Sequence, residues 1–462
     1  MRRVADGLMG SLARLLIHVF FRRVQIEHRE RVDLAGPTVL VANHRNGLVD
    51  GLLLMATLPR FPRFLGKSTL FHIPVLWPFL KLAGVVPVYR AQDGAPADRN
   101  RETFARSSRL LAKGGLLALF PEGISHDEPA LQPLRTGAAR IALAAAGDGV
   151  ADVKTVAVAL VYDDKQRFRS QALVKVDHPE PTDRWLGAYR ADERAAVRGL
   201  TDELTGRLRD LGPDYRSWSE ADILSDAADI TARAASDLSA SSDLPRDVAL
   251  EDRDAIATVL AQAAATGSDP AVASVRAAVA AYRYQLALVG LDDAQVAAGF
   301  RSGRLRRKLV WAWASVGMAL PFAAAGAVIH ALPYLVVKRL SRIPANEGMR
   351  ATVKLLGCFF LFVVVYATVG VAVGVAFGPW WGLLASLLAP ACGYTAVRMA
   401  ERIRRIGGAV EGYRAIRRGN PMLPSVLEAR AAVVAATAAV TGHQPPDTAP
   451  ERDRPAHETA GP

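Results

Sequence analysis

Short apolar runs alternate with amphipathic stretches over residues 31–182, and this pattern predicts strands that alternate with helices. Buried strands are predicted at Thr38–Ala42, Gly84–Tyr89, Leu116–Phe120 and Val153–Tyr162. Each run is short and is bounded by glycine, proline or polar residues, as is typical of strands inside a sheet. The chain is therefore expected to contain an α/β domain with helices packed on a central sheet.

Polar side chains cluster where three of these strands end. His44 and Asp50 follow the first strand, Arg90 ends the second, and Glu122 and Ser125 follow the third. Open α/β sheets place ligand sites at the carboxyl ends of their strands, so these groups are expected to lie together. A carboxylate that accepts a hydrogen bond from one imidazole nitrogen leaves the other nitrogen free to act as a base. A base, a fixed cation and several hydrogen-bonding groups suit acyl transfer to an alcohol on a phosphorylated substrate.

Four spaced motifs in this region resemble those of the glycerolipid, or PlsC-type, acyltransferase family in both order and spacing. The motifs are Asn43-His44…Asp50, Gly84…Arg90, Phe120-Pro121-Glu122-Gly123 and Val156-Ala157-Val158. The resemblance covers roughly residues 31–182. It implies a glycerol-3-phosphate acyltransferase-like fold, in which a mixed sheet is flanked by helices.

Two details make the chain most similar to the glycerol-3-phosphate/dihydroxyacetone-phosphate acyltransferase branch of that family. Five residues, Arg45 to Val49, separate His44 from Asp50, whereas the common family form has four. The string Phe-Pro-Glu-Gly-x-Ser-His-Asp at residues 120–127 is also similar to that branch. The fourth motif departs from the family pattern at Ala157, where proline is usual, and at Ala159, where glycine is usual, and these departures bear on acyl-chain preference rather than on the reaction.

The resemblance implies O-acylation by general base catalysis without a covalent acyl-enzyme. His44 would take the proton from the acceptor hydroxyl, and Asp50 would orient the imidazole and stabilise its protonated form. The donor would be a thioester of coenzyme A or of an acyl carrier protein, and the acceptor glycerol 3-phosphate or a related glycerol phosphate. No cofactor and no metal is expected.

Five further residues are predicted to bind the substrates: Arg90, Glu122, Gly123, Lys67 and Ser125. A guanidinium pairs with phosphate through two parallel hydrogen bonds, so Arg90 is assigned to the acceptor phosphate. Lys67 would add positive charge there, with a solvated lysine as the alternative. Glu122 would bind acceptor hydroxyls or orient its neighbours, with a helix cap as the alternative. Gly123 gives the backbone freedom to approach a ligand.

Two alternative functions stay open. In the first, the chain is an acyltransferase whose acceptor is 1-acylglycerol 3-phosphate, a lysophospholipid. In the second, the chain is a catalytically inert lipid-binding membrane protein. An inert relative is expected to lack one of the four motif residues His44, Asp50, Arg90 and Glu122, and all four are present. The neighbouring His126 is interpreted either as a satisfied loop histidine or as a substrate residue, and Arg169 as a surface residue.

Composition favours a protein that works at a membrane surface. The chain has 57 Lys plus Arg against 45 Asp plus Glu, a formal charge of +12. A basic chain suits anionic lipid or nucleic acid, but zinc-finger spacing and RNA-binding aromatic signatures are missing while long apolar blocks are present. Membrane lipids are therefore the expected partners, and nucleic acid is not. The two cysteines lie within apolar blocks, so disulfide and metal frameworks are not expected.

The N-terminal segment, residues 1–30, predicts an amphipathic membrane anchor. Its apolar residues share one helical stripe, made of Leu8, Leu12, Leu15, Leu16, Val19 and Phe20. The alternative is a helix that packs on the core of the catalytic domain, residues 31–182. Residues 183–308 predict a helical, charge-rich region, and residues 443–462, rich in proline and charge, predict a disordered tail.

Two uncharged apolar blocks predict membrane hairpins near the C-terminus. Residues 355–397 are long enough for two spans and carry Gly378-Pro379 near their middle, which predicts a transmembrane helical hairpin. Residues 309–337 contain two prolines and have basic residues on both sides, which predicts a re-entrant or interfacial pair of short helices. Residues 398–442 are expected to form a cytoplasmic helical segment. The basic flanks place the chain in the cell (inner) membrane with its catalytic domain facing the cytoplasm.

Overall fold

The structure is a computed structural model that describes most of the chain. The described residues are 2–32, 36–73, 76–89, 98–165, 167–239, 248–267, 270–299, 305–343, 347–417 and 420–442. Two of the predictions above concern residues outside these ranges. Arg90 and the tail at 443–462 lie outside the described residues.

The catalytic domain is built on a mixed sheet in which eight strands are described. Its order is β1-β7-β6-β2-β5-β3-β4, with β8 beside β6. Neighbouring strands are parallel except that β7 and β8 each run antiparallel to β6. The strands are β1 Phe21–Glu27, β2 Thr38–Ala42, β3 Arg63–Lys67, β4 Val86–Val88, β5 Leu116–Leu119, β6 Lys154–Tyr162, β7 Ser170–Val176 and β8 Glu180–Pro181. The predicted fold class is confirmed.

Helices cover both faces of this sheet. They are α1 Arg2–Phe20, α2 Leu48–Thr57, α3 Trp77–Ala83, α4 Asp98–Ala112, α5 Gly137–Gly147, α6 Leu186–Ala191 and α7 Glu193–Asp210. On one face, Leu40 of β2 shares a core with α1 and with Leu53 of α2. On the other face, α5 and α7 pack around Val41, Leu143 and Leu200. Successive residues of β2 are thus buried on opposite faces of the sheet, as the alternation of side chains along a strand requires.

The boundaries of the catalytic domain differ from those predicted. At the N-terminal side, α1 buries Ala13, Ile17 and Phe20 in the domain core, and β1 is an edge strand of the sheet. The predicted boundary at residue 31 therefore cuts through the domain, and the alternative of a helix packed on the core describes the inner face of α1. Its outer face still exposes apolar side chains, namely Val4, Leu8, Leu15 and Val19. On the C-terminal side, α7 belongs to the domain although residue 182 was the predicted end.

A second core lies among helices that follow the catalytic domain. The helices are α8 Trp218–Ser239, α9 Leu250–Ala265, α10 Pro270–Val289, α11 Asp293–Gly299 and, from the far end of the chain, α15 Leu423–Thr441. α15 is long and apolar enough to cross a membrane, yet it buries Val426 and Val433 among α8, α9 and α10. The segment predicted as 398–442 is thus divided, because α15 returns to this helical bundle.

Three long apolar helices form the membrane part: α12 Leu305–Leu340, α13 Glu347–Phe377 and α14 Pro379–Arg417. The predicted hairpin corresponds to α13 and α14, which pack together and turn at Gly378, whose φ of +104° favours glycine. The block at 309–337 is not a pair of short helices, because α12 continues through Pro321 and Pro333. At 36 residues its helical path is about 54 Å, well beyond the roughly 30 Å of a hydrocarbon core.

The contacts of α12 bear on the re-entrant course predicted for this block. Val316 clusters with Ile406 of α14, and Val337 lies against Gly357 near the start of α13. Between these two positions, Nε2 of His330 lies 2.9 Å from the hydroxyl of Tyr366, which is deeper in the hairpin. Both halves therefore lead back toward the ends of α13 and α14 that face the catalytic domain. A re-entrant course for α12 stays a prediction that these contacts support.

Candidate active site

The catalytic turn, residues 43–50, joins β2 to α2 at the carboxyl edge of the sheet. Asn43 ties this turn to β6, because its side-chain amide donates to the Leu160 carbonyl at 3.0 Å and accepts from the Leu160 N–H at 2.7 Å. His44 follows, and its Nδ1 lies 2.9 Å from Oδ2 of Asp50 in the first turn of α2. Between them Gly47 adopts φ 55°, a conformation that favours glycine.

The Asp50 carboxylate is fully buried and surrounded by donors. Oδ2 accepts from the backbone N–H of Asn46 at 2.7 Å as well as from His44, and Oδ1 accepts from the Tyr162 hydroxyl. Burial and the charge of Asp50 raise the pKa of Tyr162 well above its ordinary value, so the phenol keeps its proton and donates it. A buried charge is costly unless it is hydrogen-bonded, and these donors meet that requirement.

The His44 imidazole is held in one orientation on both sides. Its ring stacks on Phe120 with centroids 4.2 Å apart and an interplanar angle of 11°. Because a buried carboxylate can only accept, Nδ1 carries the proton and Nε2 keeps its lone pair. Nε2 has no hydrogen-bond partner among the residues that the structure describes, and the His44 side chain is 19% exposed. This is the arrangement expected of a general base.

Glu122 holds the catalytic turn through a hydrogen bond to its backbone. Its Oε1 accepts from the His44 backbone N–H at 2.6 Å, and its Oε2 accepts from the Gln132 N–H at 3.1 Å and from His126 Nε2. Burial raises the pKa of Glu122, but these hydrogen bonds outweigh it and hold the pKa below its ordinary value. The helix-cap alternative is wrong, since the next helix, α5, begins at Gly137. A carboxylate only 3% exposed suits orientation of its neighbours better than contact with an acceptor.

The other predicted substrate residues are placed as follows. Ser125 Oγ accepts from the Gly47 N–H at 3.1 Å, so it holds the catalytic turn. Gly123 has φ +77°, and a Cβ there would lie 2.6 Å from Arg135 Nε, so a side chain does not fit. Lys67 ends β3 and pairs in register with Val88, at the same edge of the sheet. His126 is a satisfied loop histidine, because its Nδ1 also accepts from the Glu128 N–H.

Three supporting residues were missed by sequence reasoning: Asn43, Asn46 and Tyr162. Asn43 belongs to the first motif, so only its role was missing. Tyr162 is the last residue of a predicted strand, and the sole signal for it is a polar tip at the end of an apolar run. Its partner Asp50 lies 112 positions away, which no local pattern reveals.

Comparison with known proteins identifies this region. The acyltransferase family model matches residues 23–161. Residues 23–161 are an acyltransferase domain. The matched segment contains the catalytic turn, Glu122 and nearly all of β6.

The acyltransferase domain also resembles curated enzymes of glycerolipid synthesis. Glycerol-3-phosphate O-acyltransferase 2 of Saccharomyces cerevisiae is 36% identical over 121 residues, which is 25% of this chain and 16% of the yeast protein. Glycerol-3-phosphate O-acyltransferase 1 of the same yeast is 27% identical over 53% of this chain and 32% of its own length. A chloroplastic 1-acyl-sn-glycerol-3-phosphate acyltransferase of Brassica napus is 31% identical over 23% of this chain and 29% of its own length. The chain thus spans less than a third of each relative.

Proposed function

We propose that this protein transfers a fatty acyl group from an acyl thioester to a hydroxyl of glycerol 3-phosphate or a related glycerol phosphate, as a step of phospholipid synthesis. The observation that carries the proposal is the pair His44 and Asp50, 2.9 Å apart, with the carboxylate fully buried and the imidazole Nε2 unengaged within the described residues. A catalytically inert relative would have no need to stabilise a buried carboxylate beneath a partly exposed histidine.

The geometry supports a single-displacement mechanism. His44 Nε2 accepts the proton of the acceptor hydroxyl while the oxygen forms a bond to the thioester carbonyl carbon. The resulting imidazolium is stabilised by Asp50, whose carboxylate also accepts hydrogen bonds from the Tyr162 hydroxyl and the Asn46 N–H. The carbon–sulfur bond then breaks, and the imidazolium returns its proton to the leaving thiolate. His44 therefore passes one proton from the acceptor hydroxyl to the leaving thiol, and Asp50 stabilises the imidazolium between the two steps.

The acceptor class rests on the motifs and on the relatives. Arg90, assigned to the acceptor phosphate, comes two residues after β4, and Lys67 ends the neighbouring β3. Lys67 lies at the edge of the sheet that carries His44, and the motif order assigns Arg90 to the same phosphate. Two of the relatives are named for glycerol 3-phosphate and one for 1-acylglycerol 3-phosphate. Glycerol 3-phosphate is therefore the proposed acceptor, and its 1-acyl derivative is the second candidate.

The proposed site of action is the cytoplasmic face of the cell membrane, where the thioester donors are made. The far end of the hairpin exposes Trp380 and Trp381, as is typical of a membrane interface. The end near the catalytic domain is basic, with arginines at Arg398, Arg402, Arg404 and Arg405. An excess of arginine favours the cytoplasmic side.

Acyl transfer is tested with the full chain purified in mixed micelles of detergent and phospholipid. Labelled acyl-coenzyme A or acyl carrier protein is supplied with glycerol 3-phosphate or with 1-acylglycerol 3-phosphate, and labelled lipid is counted. His44→Ala should lower turnover by about 10²- to 10⁴-fold while the protein stays folded. Absence of product with every donor and acceptor, or retention of more than about a tenth of the activity in His44→Ala, would overturn the proposal.

Orientation is tested by thiol labelling of intact cells. In a chain whose native cysteines at 358 and 392 are replaced by alanine, single cysteines are introduced by Ile343→Cys and Phe377→Cys, both at exposed positions. An impermeant reagent should label the cysteine at 377 in intact cells and that at 343 only after the membrane is opened. The reverse pattern would place the catalytic domain on the other face.

A further inference from the structure

The backbone of the catalytic turn is held by a series of side chains. The N–H of His44 is bound by Glu122, that of Asn46 by Asp50 and that of Gly47 by Ser125. The next N–H, that of Leu48, is the first of α2, and helices leave their first N–H groups without a partner in the helix itself. Each acceptor so far named comes from the acyltransferase domain.

The hydrogen-bond acceptor for the Leu48 N–H comes from the membrane hairpin, α13 and α14. Thr352, in the second turn of α13, accepts from the Leu48 N–H through Oγ1 at 3.2 Å. The residue is 304 positions away in the chain and only 9% exposed. A side chain of the membrane part therefore completes the hydrogen bonding of the turn that carries His44 and Asp50.

This contact belongs to a firm attachment between the two parts. One turn further along α13, Leu355 is buried in the core formed by α1, α2 and the sheet. Phe360 packs edge-on against Phe79 of α3, with centroids 6.0 Å apart. The start of α13 is thus fixed against α2, and the Thr352 hydroxyl has little freedom to leave Leu48.

The second hairpin helix is attached by a buried ion pair. Arg169, predicted above as a surface residue, is 8% exposed and lies with its Nε 3.1 Å from Oε1 of Glu401 in α14. The same guanidinium lies over the ring of Tyr394, which precedes Glu401 by about two turns of α14. Because both helices of the hairpin are fixed to the catalytic domain, the position of Thr352 relative to Leu48 is set by more than one contact.

We propose that Thr352 is a positioning residue for catalysis, so that the membrane hairpin is part of the active site and not only an anchor. The inference rests on the proposed acyl transfer by His44. The Thr352 hydroxyl fixes the first N–H of α2, and α2 carries Asp50 in its first turn. Loss of this acceptor would leave a part-buried N–H without a partner and would let the start of α2 shift relative to His44. Shifts of this kind lower catalysis because the productive geometry is sampled less often.

The experiment compares Thr352→Val, which removes the hydroxyl at nearly constant volume, with a matched control on the same helix. Thr368→Val is the control, because within the described residues the Thr368 hydroxyl bonds only to the Val364 carbonyl of α13 itself, and its side chain is exposed. Thr352→Val should lower kcat roughly five- to fiftyfold while KM for both substrates stays within about twofold, as expected for an unpaired buried donor near the reacting groups. Thr352→Ser should restore most of kcat, and Thr368→Val should resemble the wild type.

A double-mutant cycle separates positioning from general damage. In an Asp50→Asn background the Thr352→Val change should cost less than about twofold, because the pair that it positions is already broken. A full and additive loss there, or a wild-type kcat in Thr352→Val, would overturn the inference. If Thr352→Val is not recovered folded, Thr352→Ala is measured in its place with the same expected loss of kcat. Of these substitutions at position 352, Thr352→Ser should then be the one that keeps activity. An inactive wild-type chain would instead count against the proposed function, since this inference concerns only differences from an active parent.

Discussion

Tyr162→Phe tests how much the catalytic pair depends on the environment of its carboxylate. The Tyr162 hydroxyl donates to Oδ1 of Asp50, whose other oxygen is shared by His44 and the Asn46 N–H. Phenylalanine removes this one donor and leaves the ring in place beside Phe21, on which it stacks at 5.7 Å. Oδ1 would then be a charged oxygen in a site that solvent does not reach.

The magnitude follows from the type of bond that is lost. A hydrogen bond to a charged group contributes about 1.5–3 kcal/mol, and the stranded oxygen bears the cost of its desolvation. Expressed entirely in the transition state, that range corresponds to roughly 10- to 150-fold in rate. Asp50 keeps two of its three donors, so the lower end applies, and kcat should fall about tenfold. The free energy of unfolding should fall by about 1.5 kcal/mol.

The assay is steady-state acyl transfer with both substrates saturating, combined with thermal melting of the same micelle preparation. Tyr284→Phe is the matched control, because its side chain is 64% exposed and the substitution there should leave kcat and Tm unchanged. If folded Tyr162→Phe kept more than about half of the wild-type kcat, the hydroxyl would not be needed to hold Asp50, and the proposed role of the buried carboxylate would be refuted.

Two further substitutions test neighbouring groups. Arg90→Lys keeps the charge but loses the two-pronged fork, so KM for the phosphorylated acceptor should rise more than KM for the donor; equal shifts in steady-state kinetics would mark Arg90 as structural. The folded-state pKa of Glu122 is below its ordinary value of 4.5, so the ionised carboxylate stabilises the folded protein above pH 4.5. This stabilisation is lost as the pH falls through the folded-state pKa. Glu122→Gln should therefore lower Tm near neutral pH and weaken the acid dependence of Tm, and unchanged melting would contradict this.

Much of the acyltransferase domain follows from local sequence. β2 matches its predicted bounds at Thr38–Ala42, and β6 begins one residue later than predicted, because short apolar runs bounded by polar residues have few other ways to be buried. The pairing of His44 with Asp50 was accessible for the same reason. The two residues are six positions apart on one strand-to-helix turn, so local chain geometry brings them together.

The surroundings of two helices do not follow from local sequence. α1 is predicted as an amphipathic anchor with a packed helix as the alternative, and α15 belongs to a segment predicted only as helical and cytoplasmic, although it is long and apolar enough to cross a membrane. An apolar stripe has the same sequence pattern whether lipid or protein covers it. The structure decides by supplying partners: Ala13 and Ile17 of α1 enter the core of the sheet domain, and Val433 of α15 enters the helical bundle. Those partners come from distant parts of the chain, and one sequence taken alone does not name them.

Arg169 shows why the attachment of the hairpin was the hardest feature to anticipate. An arginine in a short turn between two strands normally remains solvated, since burying a charge costs several kcal/mol. Here the cost is offset by Glu401, 232 positions away, and by the ring of Tyr394. An ion pair of this kind is weak evidence for stability but favours one arrangement over others, because any shift of α14 along the catalytic domain would leave two buried charges apart. The ion pair fixes α14 on the catalytic domain, and α14 packs against α13, which carries Thr352. Thr352 can complete the hydrogen bonding of the catalytic turn only if α13 is held in this position.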